Sequence, residues 1–164
     1  MLTLITGSAR SGKTRQALDA AKEMQPRIYI ATAQLLDDEM LERAARHQAE
    51  RGEHWQTIEE PFHVAQRLHE LNGVVVLDCL TLWLSNWMLR DESEVNSQID
   101  GLCSALQSAP YPVIAITNEV GWSIVPENAM ARRFRDWSGF MNQRIAAIAD
   151  SVVLMVCGIP TKVK

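Results

Sequence analysis

The chain has 164 residues, of which 47% are hydrophobic and 22% charged, values that suit a single globular domain, here spanning residues 1–164. The formal net charge is −4, so no overall basic field favours nucleic acid and we expect no nucleic-acid partner. The three cysteines, Cys79, Cys103 and Cys157, have neither zinc-ligand spacing nor the even number of a disulfide framework. No signal peptide is visible, and the most apolar stretch, 80–89, is too short to cross a bilayer. We therefore expect a cytoplasmic protein without a membrane span.

The first predicted strand, 2–6, leads into GSARSGKT at 7–14, a complete G-x-x-x-x-G-K-[ST] phosphate-binding loop. A helix predicted over 15–24 follows, which is the context that the motif requires. The backbone of the loop is expected to surround the phosphates, Lys13 to reach the β- and γ-phosphates, and Thr14 to bind Mg²⁺. The predicted nucleotide-binding residues are Gly7, Ser8, Ala9, Arg10, Ser11, Gly12, Lys13 and Thr14. The chain is therefore predicted to bind a nucleoside triphosphate.

Strands and helices alternate along the rest of the chain. The pattern predicts strands over 27–31, 74–78, 112–117, 152–156 and 162–164, and helices over 38–51, 62–71, 81–90, 95–106 and 127–149. Apolar strands alternating with helices indicate an α/β fold with a mostly parallel sheet covered on both faces, and the short C-terminal strand is expected to be antiparallel. Nucleotides bind such sheets at the carboxyl ends of the strands.

Asp78 ends the most apolar of these strands. A carboxylate at that point is expected to hold Mg²⁺ as a Walker B residue. An acid at a strand end is also common as the N-cap of a following helix.

His47 lies near the end of the predicted helix 38–51, and Arg51 lies one turn further on the same face. A neutral imidazole can attack phosphorus, and a neighbouring guanidinium can hold phosphate. From spacing alone, a surface histidine beside an arginine is the stronger interpretation.

Other residues leave two interpretations open. Glu119, after the strand 112–117, could enter the site or cap its loop, and the arginines at 132, 133 and 135 could clamp phosphates or form a solvated helix face. The five tryptophans exceed what a small core needs, so some could line a flat ligand or a subunit interface.

Several segments together resemble one known family, the bifunctional adenosylcobinamide kinase / adenosylcobinamide-phosphate guanylyltransferase of cobalamin biosynthesis. The matching segments are GSARSGKT at 7–14, YIATAQLLDDEM at 29–40, the spacing of His47, Arg51 and Trp55, ITNEVGWSIVPEN at 116–128, FRDWSGFMNQRIA at 134–146, and the closing GIPTKVK. They span nearly the whole chain. The phosphate loop is shared with many families, whereas IATAQ followed by DDEM and TNEVG followed by IVPEN are far more specific.

The resemblance implies a RecA-like P-loop fold, a homotrimer and two reactions with ATP or GTP. A γ-phosphate passes to adenosylcobinamide, and GMP from GTP then passes onto that phosphate through a covalent histidine–GMP, for which His47 occupies the position. It also implies nucleotide contacts at Ala31, Thr32, Ala33, Gln48, Ala49, Glu50, Arg51, Glu59 and Asp78. A simple P-loop kinase, in which His47 is dispensable, and a nucleotide-dependent switch module are the alternative functions.

Overall fold

The computed structural model describes residues 1–34, 42, 48, 51–52 and 54–164. Within these ranges the strands are β1 (Leu2–Gly7), β2 (Arg27–Ala31), β3 (Trp55–Glu59), β4 (Val74–Asp78), β5 (Val113–Ile116), β6 (Ser151–Val156) and β7 (Ile159–Lys162). The helices are α1 (Lys13–Ala21), α2 (Val64–His69), α3 (Leu80–Asp91), α4 (Val95–Ser108) and α5 (Ala129–Ile148), with short 3₁₀ turns at Glu92–Glu94 and Val120–Trp122. No helix in the part of the chain that is described is long and apolar enough to span a bilayer.

The described strands form one sheet in the order β3-β2-β4-β5-β1-β6-β7. All neighbouring pairs are parallel except β6 and β7, which are antiparallel. The mostly parallel sheet and the antiparallel C-terminal strand are therefore confirmed.

Alternation along the strands gives the sheet two apolar faces. One face, which includes Leu4, Ile30 and Leu77, packs against α2, α3, α4 and α5. The opposite face packs against α1 through Ala17 and Ala21. Small side chains on α1 let this helix approach the sheet closely beside the phosphate loop.

The prediction missed β3 altogether. None of its residues is fully buried at the edge of the sheet, and Gln56 and Glu59 are exposed, so no apolar run marks the strand. Parallel pairing with β2, from Arg27 opposite Trp55 to Ala31 opposite Glu59, supplies its hydrogen bonds. Such non-local pairing cannot be read from a local pattern.

Several predicted boundaries were also wrong. The last strand runs from Ile159 to Lys162 and includes Pro160, so it overlaps the predicted range 162–164 only at Lys162. An edge strand tolerates this proline because one side of the strand needs no partner. Helix α2 begins two residues late because Glu60 accepts hydrogen bonds from the amides of Phe62 and His63 and holds them in a turn. Helix α1 ends at Ala21, earlier than predicted.

The strand register brings distant residues to one edge of the sheet. Ala31 pairs with Glu59 on one side and with Asp78 on the other, and Asp78 pairs in turn with Ile116. Glu59, Ala31 and Asp78 therefore lie side by side at the carboxyl ends of their strands.

Candidate active site

The phosphate loop joins β1 to α1 through two glycines with positive φ. Gly12, at φ 94°, is the residue immediately before α1, and Lys13 is the first helical residue. Gly7, at φ 147°, lies so close to β6 that a Cβ would meet the Met155 carbonyl oxygen at 2.5 Å. Both positions need a residue without a side chain. The loop therefore carries its backbone amides to the start of a helix, where they suit an anion.

Lys13 is buried inside the loop. Its Nζ donates to the Ser8 carbonyl oxygen at 2.6 Å and to the Gly7 carbonyl oxygen at 3.2 Å. Burial lowers the pKa of Lys13, while the charge of Asp78 opposes that shift. A desolvated ammonium held on weakly basic carbonyls is available to a stronger anion such as a phosphate.

Thr14 and Asp78, the two residues predicted to bind metal, lie together. The Thr14 hydroxyl donates to Oδ2 of Asp78 at 2.8 Å. A hydroxyl and a carboxylate are hard oxygen donors of the kind that Mg²⁺ prefers when a nucleotide supplies its remaining ligands. The donor set therefore fits the predicted cation.

Tyr29 also donates to Oδ2 of Asp78, at 2.7 Å. Burial and the neighbouring carboxylate raise the pKa of Tyr29, so its hydroxyl stays protonated and acts as a donor. The face of its ring carries Arg51, whose guanidinium carbon lies 3.9 Å from the ring centroid. The sequence analysis missed Tyr29, which is recognisable only once the strand register places it beside Asp78.

The other residues predicted to contact the nucleotide differ in how far they are buried. Thr32 is fully buried, and its hydroxyl donates to the Cys79 carbonyl and accepts from the Cys79 amide. Ala31 and Ala33 flank it and are half-buried, whereas Glu59 and Gln48 are exposed. His47, Ala49 and Glu50 lie outside the described residues.

A cavity of about 1010 Å³ lies over the loop and the strand ends. Lys13, Thr14, Arg51 and Asp78 line it together. Among the described residues that line it, the basic ones exceed the acidic ones, Asp19 and Asp78, and comprise Arg10, Lys13, Arg15, Lys22, Arg27 and Arg51. This charge balance suits a polyphosphate.

Glu119, which lies after β5, forms hydrogen bonds to the end of β1, where the phosphate loop begins. Its Oε1 accepts hydrogen bonds from the Thr6 hydroxyl at 2.7 Å and from Nδ2 of Asn142 at 3.2 Å. Its amide donates to the Gly7 carbonyl. The Glu119 side chain makes no capping hydrogen bond to the 3₁₀ turn that follows it, so the structure does not support capping of its own loop. Glu119 instead braces the end of β1, where the phosphate loop begins. Asn142, on α5, is a second residue that the sequence did not point to.

The arginine cluster does not line the cavity. Arg132 donates to the carbonyls of Pro126 and Glu127, and Arg133 pairs with Glu92 at 3.0 Å. These two arginines form contacts on the exposed surface of α5, as the solvated-face interpretation expected.

The tryptophans divide between core and surface. Trp83 and Trp87 are buried, and both indole N–H groups donate to the Phe62 carbonyl. Trp55 lines the cavity, and Trp122 is 70% exposed. Two tryptophans therefore belong to the buried core, whereas Trp55 and Trp122 lie outside it.

Solved structures share the fold at low sequence identity. A protein of Pyrococcus horikoshii, PH0250, aligns with a TM-score of 0.61 at 9% identity, over 99% of this chain and 85% of its own. The flagellar accessory protein FlaH of Methanocaldococcus jannaschii gives 0.52 at 14% identity, over 99% and 77%. A type III secretion system ATPase gives 0.53 at 9%, over 98% and 56%. The predicted RecA-like P-loop fold is confirmed.

Comparison of sequences is more specific. The bifunctional adenosylcobalamin biosynthesis protein CobU of Escherichia coli is 41% identical over 181 aligned residues, covering all of both chains. The Salmonella typhimurium CobU is 39% identical, again over both full lengths. The Pseudomonas aeruginosa CobP is 40% identical over all of this chain and 98% of its own. The sequence model of the family described as cobinamide kinase / cobinamide phosphate guanyltransferase matches residues 3–163, and the chain belongs to that family.

Proposed function

We propose that this protein is a bifunctional transferase of adenosylcobalamin biosynthesis. It phosphorylates adenosylcobinamide with ATP or GTP and then transfers GMP from GTP to give adenosylcobinamide-GDP and pyrophosphate. Family membership over residues 3–163 supports both activities. The observation that carries the proposal is that Arg51, four positions after His47, lines the same cavity as Lys13, Thr14 and Asp78.

In the kinase step the substrate hydroxyl oxygen attacks the γ-phosphorus, and the bond to the β-phosphate oxygen breaks. Lys13 neutralises charge on the phosphates when it exchanges its bonds to the loop carbonyls for bonds to phosphate oxygens. Thr14 and Asp78 would hold Mg²⁺, which, when bound, offsets the negative charge of the triphosphate.

In the guanylyl step an imidazole nitrogen of His47 attacks the α-phosphorus. A phosphorus–nitrogen bond forms, and pyrophosphate leaves with the electron pair of the broken P–O bond. A phosphate oxygen of adenosylcobinamide phosphate then attacks the same phosphorus and displaces the histidine. The cavity supports this chemistry because it adjoins residue 51 as well as the phosphate loop.

The nucleotide contacts proposed outside the loop form two groups. Ala31, Glu59 and Asp78 are the last residues of β2, β3 and β4, whose carboxyl ends meet at one edge of the sheet, and Thr32 and Ala33 follow β2. The second group comprises Gln48, Ala49, Glu50 and Arg51. Arg51 is half-buried and lines the cavity. A guanidinium in that position is suited to bind phosphate oxygens.

The decisive test is incubation with GTP labelled at the α-phosphate, followed by denaturation and measurement of protein-bound label. We expect acid-labile label on the wild type and on His54→Ala, a matched control for a nearby histidine, and no label on His47→Ala. Adenosylcobinamide phosphate should then remove the label as adenosylcobinamide-GDP. Absence of label from the wild type, with phosphorylation of adenosylcobinamide intact, would identify a simple kinase.

We also propose that the protein is a homotrimer, as its family resemblance implies. Three adjacent apolar side chains on the segment before α5 support an interface: Trp122 is 70%, Ile124 93% and Val125 59% exposed. Side chains of this kind are enriched at subunit interfaces. Sedimentation equilibrium should give three times the chain mass, and Ile124→Ser should weaken the assembly.

A further inference from the structure

We propose that Tyr29 is a positioning residue that orients the Asp78 carboxylate through its hydroxyl and the Arg51 guanidinium through its ring. The inference rests on the proposed nucleotide and metal site, and it assigns a function to a side chain that the two reactions do not themselves require. Tyr29 is 3% exposed, so it acts through these two neighbours and not by contact with substrate.

The hydroxyl end of Tyr29 restrains Asp78. Tyr29 Oη lies 2.7 Å from Oδ2, and Thr14 Oγ1 lies 2.8 Å from the same oxygen. A metal ligated by Thr14 would compete for the Thr14 hydroxyl, whereas the Tyr29 hydroxyl would still donate. Tyr29 is therefore the contact that keeps the carboxylate in one rotation when the site is loaded.

The ring of Tyr29 restrains Arg51. The guanidinium carbon lies 3.9 Å from the ring centroid, within the range of a cation–π contact. Nη2 of Arg51 also donates to Thr57 Oγ1 at 3.1 Å, a second contact that fixes the guanidinium. The ring itself meets Trp55 edge to face, with centroids 6.3 Å apart. The Tyr29 ring therefore packs against β3 as well as against Arg51.

One side chain thereby links two groups that line the same cavity. Asp78 belongs to the proposed metal site, and Arg51 lies four positions after His47, on a segment distant from Asp78 in the sequence. Because the hydroxyl and the ring act on different partners, substitutions can separate the two effects. Tyr29→Phe removes only the hydroxyl, whereas Tyr29→Leu removes both.

Binding of the α,β-methylene analogue of GTP, measured by calorimetry at several Mg²⁺ concentrations, tests the hydroxyl. The analogue resists attack at the α-phosphorus, and the measurement needs no corrinoid and no turnover. We expect Tyr29→Phe to raise the Mg²⁺ concentration at half-saturation about 10-fold, as loss of an outer-shell partner typically does. Affinity at saturating Mg²⁺ should be unchanged because the ring stays under Arg51.

Tyr111→Phe is the matched control. Its hydroxyl is also buried and donates to a backbone carbonyl, that of Leu68, on a different part of the fold. It should keep the wild-type Mg²⁺ requirement. An equal shift in both phenylalanine variants would show general loosening and overturn the proposal.

Tyr29→Leu tests the ring. We expect it to weaken analogue binding about 10-fold even at saturating Mg²⁺, as loss of a desolvated cation–π contact allows. Adding Arg51→Gln to Tyr29→Leu should cause little further loss, because the two act as a unit. Equal affinities for the phenylalanine and leucine variants at saturating Mg²⁺ would contradict the effect on Arg51.

Asp78→Asn distinguishes failure of the Tyr29 inference from failure of the proposed metal site. If it raises the Mg²⁺ requirement and Tyr29→Phe does not, Tyr29 does not orient the carboxylate and the inference is overturned. If neither variant changes the requirement, the metal assignment itself is wrong and the inference fails with it. Covalent labelling by GTP, which is measured separately, reports on the proposed function in either case.

Discussion

The hydroxyl of Thr14 lies 2.8 Å from Oδ2 of Asp78, although 64 positions separate the two residues in the chain. The phosphate loop carries the first residue to the start of α1, and the register of β4 carries the second to the same edge of the sheet. Neither residue would form a cation site by itself. Their proximity is a property of the parallel sheet, and it makes Asp78 the most direct residue to test.

We predict that Asp78→Asn weakens Mg²⁺-dependent nucleotide binding while the fold is retained. The amide keeps the shape of the side chain and accepts the hydrogen bonds of Thr14 and Tyr29 at its oxygen, but it carries no charge for a cation. Calorimetry with and without Mg²⁺ should show that Mg²⁺ no longer tightens binding.

The control for this substitution is Asp100→Asn. Asp100 is 63% exposed and pairs with Arg144 on the surface, where a salt bridge contributes little. A Mg²⁺ dependence equal in the two variants would argue against a cation at Asp78.

Lys13→Ala should reduce both transfer reactions by about 10² to 10³, the usual effect of losing one preorganised group that stabilises developing charge. Because burial lowers the pKa of Lys13, the charged side chain is less favourable in the folded protein than in water. The melting temperature at neutral pH should therefore stay the same or rise. Lys162→Ala, on the exposed strand β7, controls for loss of a lysine.

For this prediction to hold, Lys13→Ala must lower the transfer activities without lowering the melting temperature. A variant that loses activity and melting temperature in parallel would indicate that Lys13 supports the loop. Near-normal turnover in both reactions would show that the loop does not hold the reacting phosphates.

Local patterns predicted the unit from β1 to α1 well, because the strand, the loop and the start of the helix are contiguous. The conformation of the loop itself explains why glycine is needed at positions 7 and 12. Asp78 was also predictable, since four apolar residues before it mark a buried strand. Strand β3 was not predictable from the sequence, because its stability comes from pairing with β2 and two of its five residues are exposed to solvent.

The contacts that support the site could not be predicted from the sequence either. Tyr29 was interpreted as a strand residue, since nothing in the sequence says that β2 and β4 are neighbours. Asn142 reaches Glu119 from α5 across the sheet edge. Such contacts depend on register and packing between distant segments, and these are decided by the whole core.

Thr32→Val should destabilise the fold by about 1 to 3 kcal/mol, because it leaves a buried amide and a buried carbonyl without their partner. Both belong to Cys79, which the Thr32 hydroxyl bonds at 2.8 and 2.9 Å. Thr161→Val, on exposed β7, is the control with the same change in shape. Urea unfolding measures both.

Nucleotide affinity of the folded Thr32→Val protein provides a second measurement. A loss of affinity that Thr32→Ser restores would support the proposed nucleotide contact. Unchanged affinity with reduced stability would limit Thr32 to its structural role.

His47→Ala should abolish covalent GMP and guanylyl transfer but keep a measurable part of the kinase activity. The kinase step needs the substrate hydroxyl beside the γ-phosphate and the charges of the phosphate loop, and it needs no nitrogen nucleophile. Label from γ-labelled ATP on adenosylcobinamide measures the first activity, and protein-bound label from α-labelled GTP measures the second. Label that persists on His47→Ala would assign the nucleophile to another residue, with His54 the next to test.

The pH dependence of labelling provides an independent test of the same residue. An imidazole attacks only when neutral, and histidine ordinarily titrates at about pH 6.5. The rate of GMP attachment should therefore be constant above the titration and fall about tenfold per pH unit well below it. Kinase turnover in the same buffers controls for acid effects on nucleotide binding. A labelling rate that stays flat between about pH 5 and 8, the range in which histidine changes charge, would exclude a histidine nucleophile once the chemical step is shown to limit the rate.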